Sequence, residues 1–121
     1  MTKNVLAIAA TLMVAMQAAH ADYTINELEA KHRAPDARVL MDFYLQGVGE
    51  GVLYGQAAYK FKQQAPRLYC MPDELALDGA AYFDILEDYL AHEPTKRVLL
   101  NKSASAALIF ALEYTFPCPL R

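Results

Sequence analysis

The spacing of apolar residues between prolines is the feature that most constrains the fold of this chain. In the central segment, apolar positions recur at gaps of three and four: Val39, Leu40, Phe43, Tyr44, Val48 and Val52. These gaps follow the 3.6-residue period of an α-helix and not the two-residue period of a β-strand. No segment shows an alternating apolar and polar pattern, so the sequence predicts an all-α protein, a small helical bundle.

About four helices are expected, because each apolar stripe is bounded by a capping residue or a proline. Thr24 and Glu27 have the spacing of a capping box at the start of a short first helix. The predicted helices run from Thr24 to about His32, from about Pro35 to Gln63, from Asp78 to Pro94, and from Asn101 or Ser103 to Pro117.

The first residues have the three-part pattern of a secretory signal peptide. Lys3 supplies a positive charge, an apolar run extends from Val5 to about Ala18, and the segment 19–21 reads as an A-x-A cleavage site. The apolar run is shorter than the roughly 20 residues that span a bilayer, which argues against a membrane anchor. We therefore expect a cleaved leader at 1–21 and one domain at 22–121, outside the cytoplasm and free of the membrane.

The charge of the chain excludes two classes of partner. The formal net charge is −3, and loss of Lys3 with the leader makes the remaining chain one unit more negative. An acidic domain without a basic cluster is poorly suited to bind nucleic acid or an anionic membrane. Neither is expected as a partner.

The two cysteines, Cys70 and Cys118, both lie in the predicted exported domain. An even cysteine count in a short secreted chain indicates a disulfide. A metal pair and a reactive thiol are the competing interpretations. However, neither cysteine has a second Cys or a His at ligand spacing, and His32 and His92 are isolated. We expect a disulfide, and neither a metal nor another cofactor.

Four of the five glycines lie in the stretch YLQGVGEGVLYG, residues 44–55. A phosphate-binding loop would need G-x-G-x-x-G after a strand, or a glycine loop ending in Lys-Ser or Lys-Thr. Here the glycines lie inside a helical pattern, and Gly47, Gly51 and Gly55 are spaced four apart on one face. Glycines on a helix face let a neighbouring backbone or aromatic ring approach closely. We therefore predict that these three are helix-packing positions.

No set of residues predicts catalysis. Asp84, Glu87 and Asp88 lie on the polar side of the third helix, where carboxylates are expected to be solvated rather than paired for acid–base chemistry. Ser103 and Ser105 lack the G-x-S-x-G context of an activated nucleophile. The sequence therefore favours a protein that is not an enzyme, with no catalytic residue assigned.

Four motifs follow one another along the chain: FYLQGVGEGVLYG, Cys70-Met71-Pro72, Tyr89-Leu90 followed by Pro94, and Ala111-Leu112 running to Phe116-Pro117-Cys118. In this order they resemble the Rap/Tai family of type VI secretion immunity proteins. The resemblance covers nearly all of residues 22–121. It implies an all-helical periplasmic domain with an intramolecular disulfide between Cys70 and Cys118.

The resemblance also implies a function. Rap/Tai proteins bind a cognate effector toxin, typically a peptidoglycan amidase, and block its active-site cleft without catalysis. By this resemblance the chain is a periplasmic immunity protein whose partner is such a toxin, and a homodimer is a further association that the family shows. We expect contacts at loops near helix ends, in the segments Lys60–Arg67 and His92–Lys96.

Two alternatives belong to other classes. A periplasmic acid-stress chaperone similar to the HdeA type is also small, helical and held by one disulfide, and it would unfold in strong acid to expose apolar surface. A small hydrolase would need a nucleophile beside a base, which the sequence does not offer.

Overall fold

The structure, a computed structural model, describes residues 22–63 and 66–120, apart from the side chains of residues 60–63. Within these residues the fold consists of α-helices and contains no β-strand, which confirms the all-α prediction. The helices are α1 (Ile25–Arg33), α2 (Pro35–Gln63), α3 (Gly79–His92), α4 (Pro94–Leu100) and α5 (Ala104–Thr115). The predicted leader at 1–21 lies outside the described residues.

Side-chain caps explain where three of the helices begin. Glu27 N–H donates to Thr24 Oγ1 at 3.1 Å, and Thr24 N–H donates to Glu27 Oε2 at 2.9 Å, so the predicted capping box is present. Asp78 accepts a hydrogen bond from a backbone N–H in the first turn of α3. Ser103, one of the two predicted caps of the last helix, does the same for α5.

The prediction of about four helices misses α4. Pro94 ends α3 as expected, but it also occupies the first turn of α4, where its fixed φ and missing N–H suit a helix start. Glu93 is both the C-cap of α3 and the N-cap of α4. The two helices therefore meet at a tight corner, which carries Arg97 of α4 to the side of α1.

The core lies where α3 packs against α5 and α2, and α1 closes it against α2. Buried alanines at Ala104, Ala107 and Ala111 leave little side chain between α5 and its neighbours, which favours a short interhelical distance. The larger buried side chains are Ile25, Leu28, Met41, Leu45, Tyr69, Tyr82, Leu86, Leu108 and Leu112.

The predicted disulfide between Cys70 and Cys118 is confirmed. It joins the segment between α2 and α3 to the segment after α5, across a sequence separation of 48, with Cα atoms 4.8 Å apart. Cys70 N–H also donates to the carbonyl oxygen of Phe116 at 2.8 Å. Next to it, Tyr69 is fully buried, and this burial raises the pKa of its phenol to about 12.

Candidate interaction surface and a buried carboxyl pair

The outward side of α2 carries large apolar side chains that remain exposed. Phe43 and Tyr54 are each 68% exposed, and two further apolar residues on this side, Val39 and Leu40, are more than half exposed. Large exposed apolar side chains that cluster on one face of a small domain can mark an interaction site. The patch, called the α2 face below, consists of Val39, Leu40, Phe43 and Tyr54 together with the exposed glycines Gly47, Gly51 and Gly55.

The prediction that Gly47, Gly51 and Gly55 are helix-packing positions is wrong within this fold. Apart from the chain neighbours and the backbone of the adjoining turns of α2, no described atom lies within 4 Å of the point where a Cβ would stand at any of the three. The reason is the rotation of α2, which turns Met41 and Leu45 into the core and leaves the glycine stripe on the outside.

Two other glycines allow the close helix contacts. A Cβ at Gly49 would overlap the ring of Tyr82 on α3, which is itself buried. A Cβ at Gly79, in the first turn of α3, would overlap the backbone of Asp42 on α2. The α2–α3 contact therefore depends on one glycine from each helix, and neither belongs to the predicted stripe.

Two shallow pockets open beside the α2 face. One, of about 160 Å³, is lined by Val39 and Phe43 and by the carboxylates of Asp42 and Asp78. The other, of about 190 Å³, lies between Tyr54 on α2 and the segment that follows Cys70; Leu53, Gln56, Ala57, Arg67, Met71, Pro72, Asp73 and Leu75 complete its lining. The α2 face thus combines projecting aromatic rings with recesses that carry acidic groups.

The structure describes one of the two segments that were expected to contact a partner more fully than the other. Lys60–Arg67 falls largely outside the described residues, although Arg67 is exposed and lines the pocket beside Tyr54. In His92–Lys96, the ring of the exposed His92 has its Nδ1 2.8 Å from the carbonyl oxygen of Asp88, which completes the last turn of α3. The contact gives His92 a structural role at the end of α3.

A partly buried charge cluster joins α1, α3 and α4. Glu29 on α1 is buried, and its two carboxylate oxygens accept hydrogen bonds from the Arg97 guanidinium at 2.5 and 2.7 Å. These bonds hold the pKa of Glu29 below its ordinary value. A bidentate pair of this kind compensates for the burial of the charge.

Glu87 on α3 adds a second carboxyl to this cluster. Its Oε1 is buried and has no hydrogen-bond partner among the described residues. Burial, together with the neighbouring Glu29, raises the pKa of Glu87 to about 7. The expected solvation of the three carboxylates on α3 therefore holds for Asp84 and Asp88, which are exposed, and is wrong for Glu87.

Sequence reasoning missed this cluster because its members come from three helices. Glu29 and Arg97 are separated by 68 positions, and no local pattern relates them. The sequence carries one weak signal for the cluster, which is the position of Glu87. Glu87 follows the buried Leu86 and so lies at the border of the apolar stripe, where a carboxyl can turn inward.

The hydroxyl groups of Ser103 and Ser105 serve a structural contact. Both donate hydrogen bonds to the carboxylate of Asp22, and Tyr44 donates a third. Burial alone would raise the pKa of Asp22, but the bonds from Ser103, Tyr44 and Ser105 lower it. The contact ties the beginning of the described chain to α2 and α5.

Residues 22–63 and 66–120 contain no group of three or more His, Cys, Asp or Glu side chains that could hold a metal ion. None of the helices in that part of the chain is both long and apolar enough to cross a membrane. Comparison of the chain with protein-family models, with curated proteins and with solved structures found no match.

Proposed function

We propose that this protein is a periplasmic immunity protein that binds a cognate peptidoglycan-amidase toxin of a type VI secretion system and occludes its active site. The observation that carries the proposal is the α2 face, an exposed apolar surface on a helix of a disulfide-bonded domain. Stoichiometric inhibition needs such a surface and needs no catalytic group on the inhibitor.

The side chains of the α2 face are of the types that dominate binding energy. Phe43 and Tyr54 are aromatic, and buried aromatic residues are prominent among interface hot spots. Each Å² of apolar area removed from water contributes about 25 cal/mol. A helix held by the core loses little conformational freedom on binding, so more of this contribution remains as affinity.

The charges beside the α2 face fit a cationic cleft. Asp42 and Asp78 line one pocket, and Asp73 lines the other together with Arg67, so three carboxylates stand beside one cation. The peptide stems of peptidoglycan carry free carboxylates, so an amidase that binds them needs cationic groups in its cleft. Carboxylates on the inhibitor complement such groups, which promotes correct docking and fast association.

The resemblance to Rap/Tai proteins supports the same function. That family is all-helical and disulfide-bonded, and this chain shares both properties through α1–α5 and the Cys70–Cys118 bond. Export to the periplasm, proposed from residues 1–21, would place the protein in the compartment where a peptidoglycan amidase acts.

A protection assay tests the proposal. The full-length protein is expressed in a bacterium that carries a periplasm-directed amidase effector encoded in the same genome, and lysis is scored. We expect rescue, and we expect it to disappear when residues 2–21 are deleted, because inhibitor and toxin would then be in different compartments. Continued lysis with every amidase effector of that genome, despite protein detected in the periplasm, would overturn the proposal.

Phe43→Asp tests the surface itself. An acidic side chain at the centre of an apolar contact should weaken binding to the purified effector by about 30-fold or more, the loss expected for a hot-spot residue. The measurement is the dissociation constant by calorimetry. Val98→Asp is the matched control, because Val98 is also apolar and is 80% exposed on α4, away from the α2 face.

Comparison of the two variants separates an effect on the binding surface from an effect on folding. Both positions are exposed, so both variants should retain the thermal midpoint of the parent protein. If Phe43→Asp binds the effector as tightly as Val98→Asp does, the α2 face is not the interface. Suppression of client aggregation in strong acid, without any effector binding, would instead support the acid-chaperone alternative.

A further inference from the structure

Three carboxylates anchor α1 and the short segment before it to the other helices, and the first of them is that of Asp22. It accepts hydrogen bonds from Ser103 at 2.5 Å and from Ser105 at 2.7 Å, at the start of α5. Tyr44 on α2 donates a further hydrogen bond to the same carboxylate. One ionised side chain therefore fastens the beginning of the domain to both α2 and α5.

The other two anchors join α1 to α4 and to α2. Glu29 accepts hydrogen bonds from Arg97 on α4 at 2.5 and 2.7 Å. Near the end of α1, Nε2 of His32 lies 3.0 Å from Oδ1 of Asp42 on α2, and the His32 ring stacks on Phe83 of α3. Hydrogen bonds to an ionised carboxylate are roughly twice as strong as those between neutral groups, so these anchors depend on charge.

Helix α1 itself also depends on a carboxylate and has little else to hold it. Glu27 accepts a hydrogen bond from the N–H of Thr24 at 2.9 Å and so completes the capping box. The helix has nine residues, and a helix of this length is marginal in water on its own. Its buried side chains are Ile25, Leu28 and Glu29, of which two are apolar.

The rest of the fold is held in a different way. Helix α3 packs against α2 and α5 through buried apolar side chains that include Leu86, Leu108 and Leu112. The disulfide between Cys70 and Cys118 joins the segment before α3 to the segment after α5. Helix α1 precedes Cys70 and therefore lies outside the loop that the disulfide closes. Proteins open in cooperative units of unequal stability, and these contacts divide the domain into two such units.

We propose that residues 22–33, called the N-terminal unit below, open in acid while α2, α3 and α5 stay packed around the disulfide. Opening withdraws Ile25 and Leu28 from the core and uncovers the apolar surface that they contact. The order of opening is set by the kind of contact in each unit, because protonation weakens anchors to carboxylates and leaves apolar packing and a covalent bond in place.

The direction of the pH effect follows from the carboxyl groups of the closed form. Burial would raise the pKa of Asp22, but its hydroxyl donors bring it below the ordinary value of 3.8. Hydrogen bonds from Thr24 and from Arg97 hold the pKa values of Glu27 and Glu29 below 4.5. Opening therefore takes up protons in acid. The stabilisation of the closed form is fully present above about pH 4.5 and is lost as the pH falls through the lowered values.

Cationic groups near two of these carboxylates act in the same direction. Arg97 on α4 and Arg33 in the last turn of α1 favour the ionised form of Glu29. Lys31, one turn after Glu27, favours the ionised form of Glu27. Each cation loses an attractive partner when the carboxylate is protonated, so the closed form is weakened further.

The other titratable groups that face the N-terminal unit do not reverse this direction. Burial raises the pKa of Glu87 on α3 to about 7, so Glu87 is neutral in acid. Burial and the neighbouring Asp22 raise the pKa of Tyr44, which therefore stays neutral as well. A protonated His32 attracts Asp42 only while Asp42 is ionised.

Hydrogen exchange of backbone amides in the purified, disulfide-bonded protein tests the proposal. Exchange is followed by NMR from pH 7 to pH 3, and the rates are corrected for intrinsic exchange. The opening constant of the α1 amides should rise below about pH 4.5, by up to about tenfold per pH unit for each carboxylate released. The α5 amides should stay protected over the same range. Loss of protection in α1 and α5 together, in one transition, would overturn the proposal.

Glu29→Gln tests whether charge is the cause, because the amide keeps an acceptor for Arg97 and does not titrate. Its α1 opening constant should exceed that of the parent protein by about fivefold or more at pH 7. The excess should shrink as the pH falls, since the parent protein then loses the same charge. Asp84→Asn is the control, because it removes an exposed carboxylate on α3 and should leave α1 exchange unchanged at every pH. An excess that is constant with pH would contradict a charge-dependent anchor.

Ser105→Ala tests the anchor at Asp22 without changing a charge or altering α1. It removes one of the hydroxyl donors, and alanine is a better helix former than serine, so α5 should not be weakened. We expect faster exchange in the N-terminal unit at pH 7 and unchanged exchange in the rest of α5. If Glu29→Gln and Ser105→Ala both exchange in α1 as the parent protein does, the carboxylate contacts do not hold the unit and the proposal is wrong.

Discussion

Replacing both cysteines, as Cys70→Ser with Cys118→Ser, should lower the free energy of unfolding by about 2 to 5 kcal/mol. The bond closes a loop across a sequence separation of 48 and therefore removes many conformations from the unfolded chain. A domain of this size has a total stability of about 5 to 15 kcal/mol, so the loss is a large fraction of it. Far-UV circular dichroism in urea measures the change, and the helical signal suits this chain because it contains no tryptophan.

Reductant provides the control for this prediction. The parent protein should lose stability when the disulfide is reduced, whereas the double serine variant should unfold at the same urea concentration with and without reductant. The effect should be similar in size for reduction and for substitution, because each removes the same loop constraint. Equal midpoints for the oxidised and the reduced parent protein would contradict the prediction.

The loss should be concentrated at one end of the molecule. The disulfide lies beside the backbone bond from Cys70 to Phe116 and beside the buried Tyr69, so the segment between α2 and α3 depends on it. Gln56 also holds this segment, since its side chain accepts from Leu68 N–H and donates to the carbonyl oxygen of Tyr69. Hydrogen exchange in this region should therefore increase more than in α1.

Local signals made most of the fold predictable. The capping box at Thr24, the cap at Asp78 and the stop at Pro94 are all specified within a few residues of where they act. The presence of α4 was not predictable in this way. Proline has a fixed φ and no N–H, and these two properties both stop a preceding helix and suit the first turn of a following one. The disulfide was predictable from count and compartment, since two cysteines allow one intramolecular pairing.

The candidate sites depended on information that local patterns lack. A spacing of four shows that Gly47, Gly51 and Gly55 share a face of α2, but it does not show which face meets α3. That choice is made by the apolar residues Met41 and Leu45, which enter the core on the other side. The raised pKa of Glu87 likewise depends on Glu29, which lies on α1 and comes close to α3 only in the folded chain.

Gly79→Ala should lower the free energy of unfolding by about 2 to 3 kcal/mol, the upper part of the usual range for overpacking. The new methyl group would overlap the backbone of Asp42, and a backbone cannot move aside as the end of a flexible side chain can. Relief therefore requires a shift of α3 away from α2. Gly49→Ala should cost less, because the overlapping group is the ring of Tyr82, although that ring is buried and has little room.

Gly51→Ala is the matched control, since it makes the same chemical change in the same helix at an open site. Its Cβ meets no described atom within 4 Å beyond the chain neighbours and adjoining backbone of α2, and alanine is the better helix former, so stability should rise by about 0.5 to 1 kcal/mol. Urea unfolding of the three variants measures the expected losses of stability and the expected gain in one experiment. A stabilising effect at Gly79 or Gly49, or a loss of stability at Gly51, would mean that α2 is rotated differently against α3. The exposed apolar surface would then lie elsewhere on α2, so this comparison also tests the geometry on which the α2 face depends.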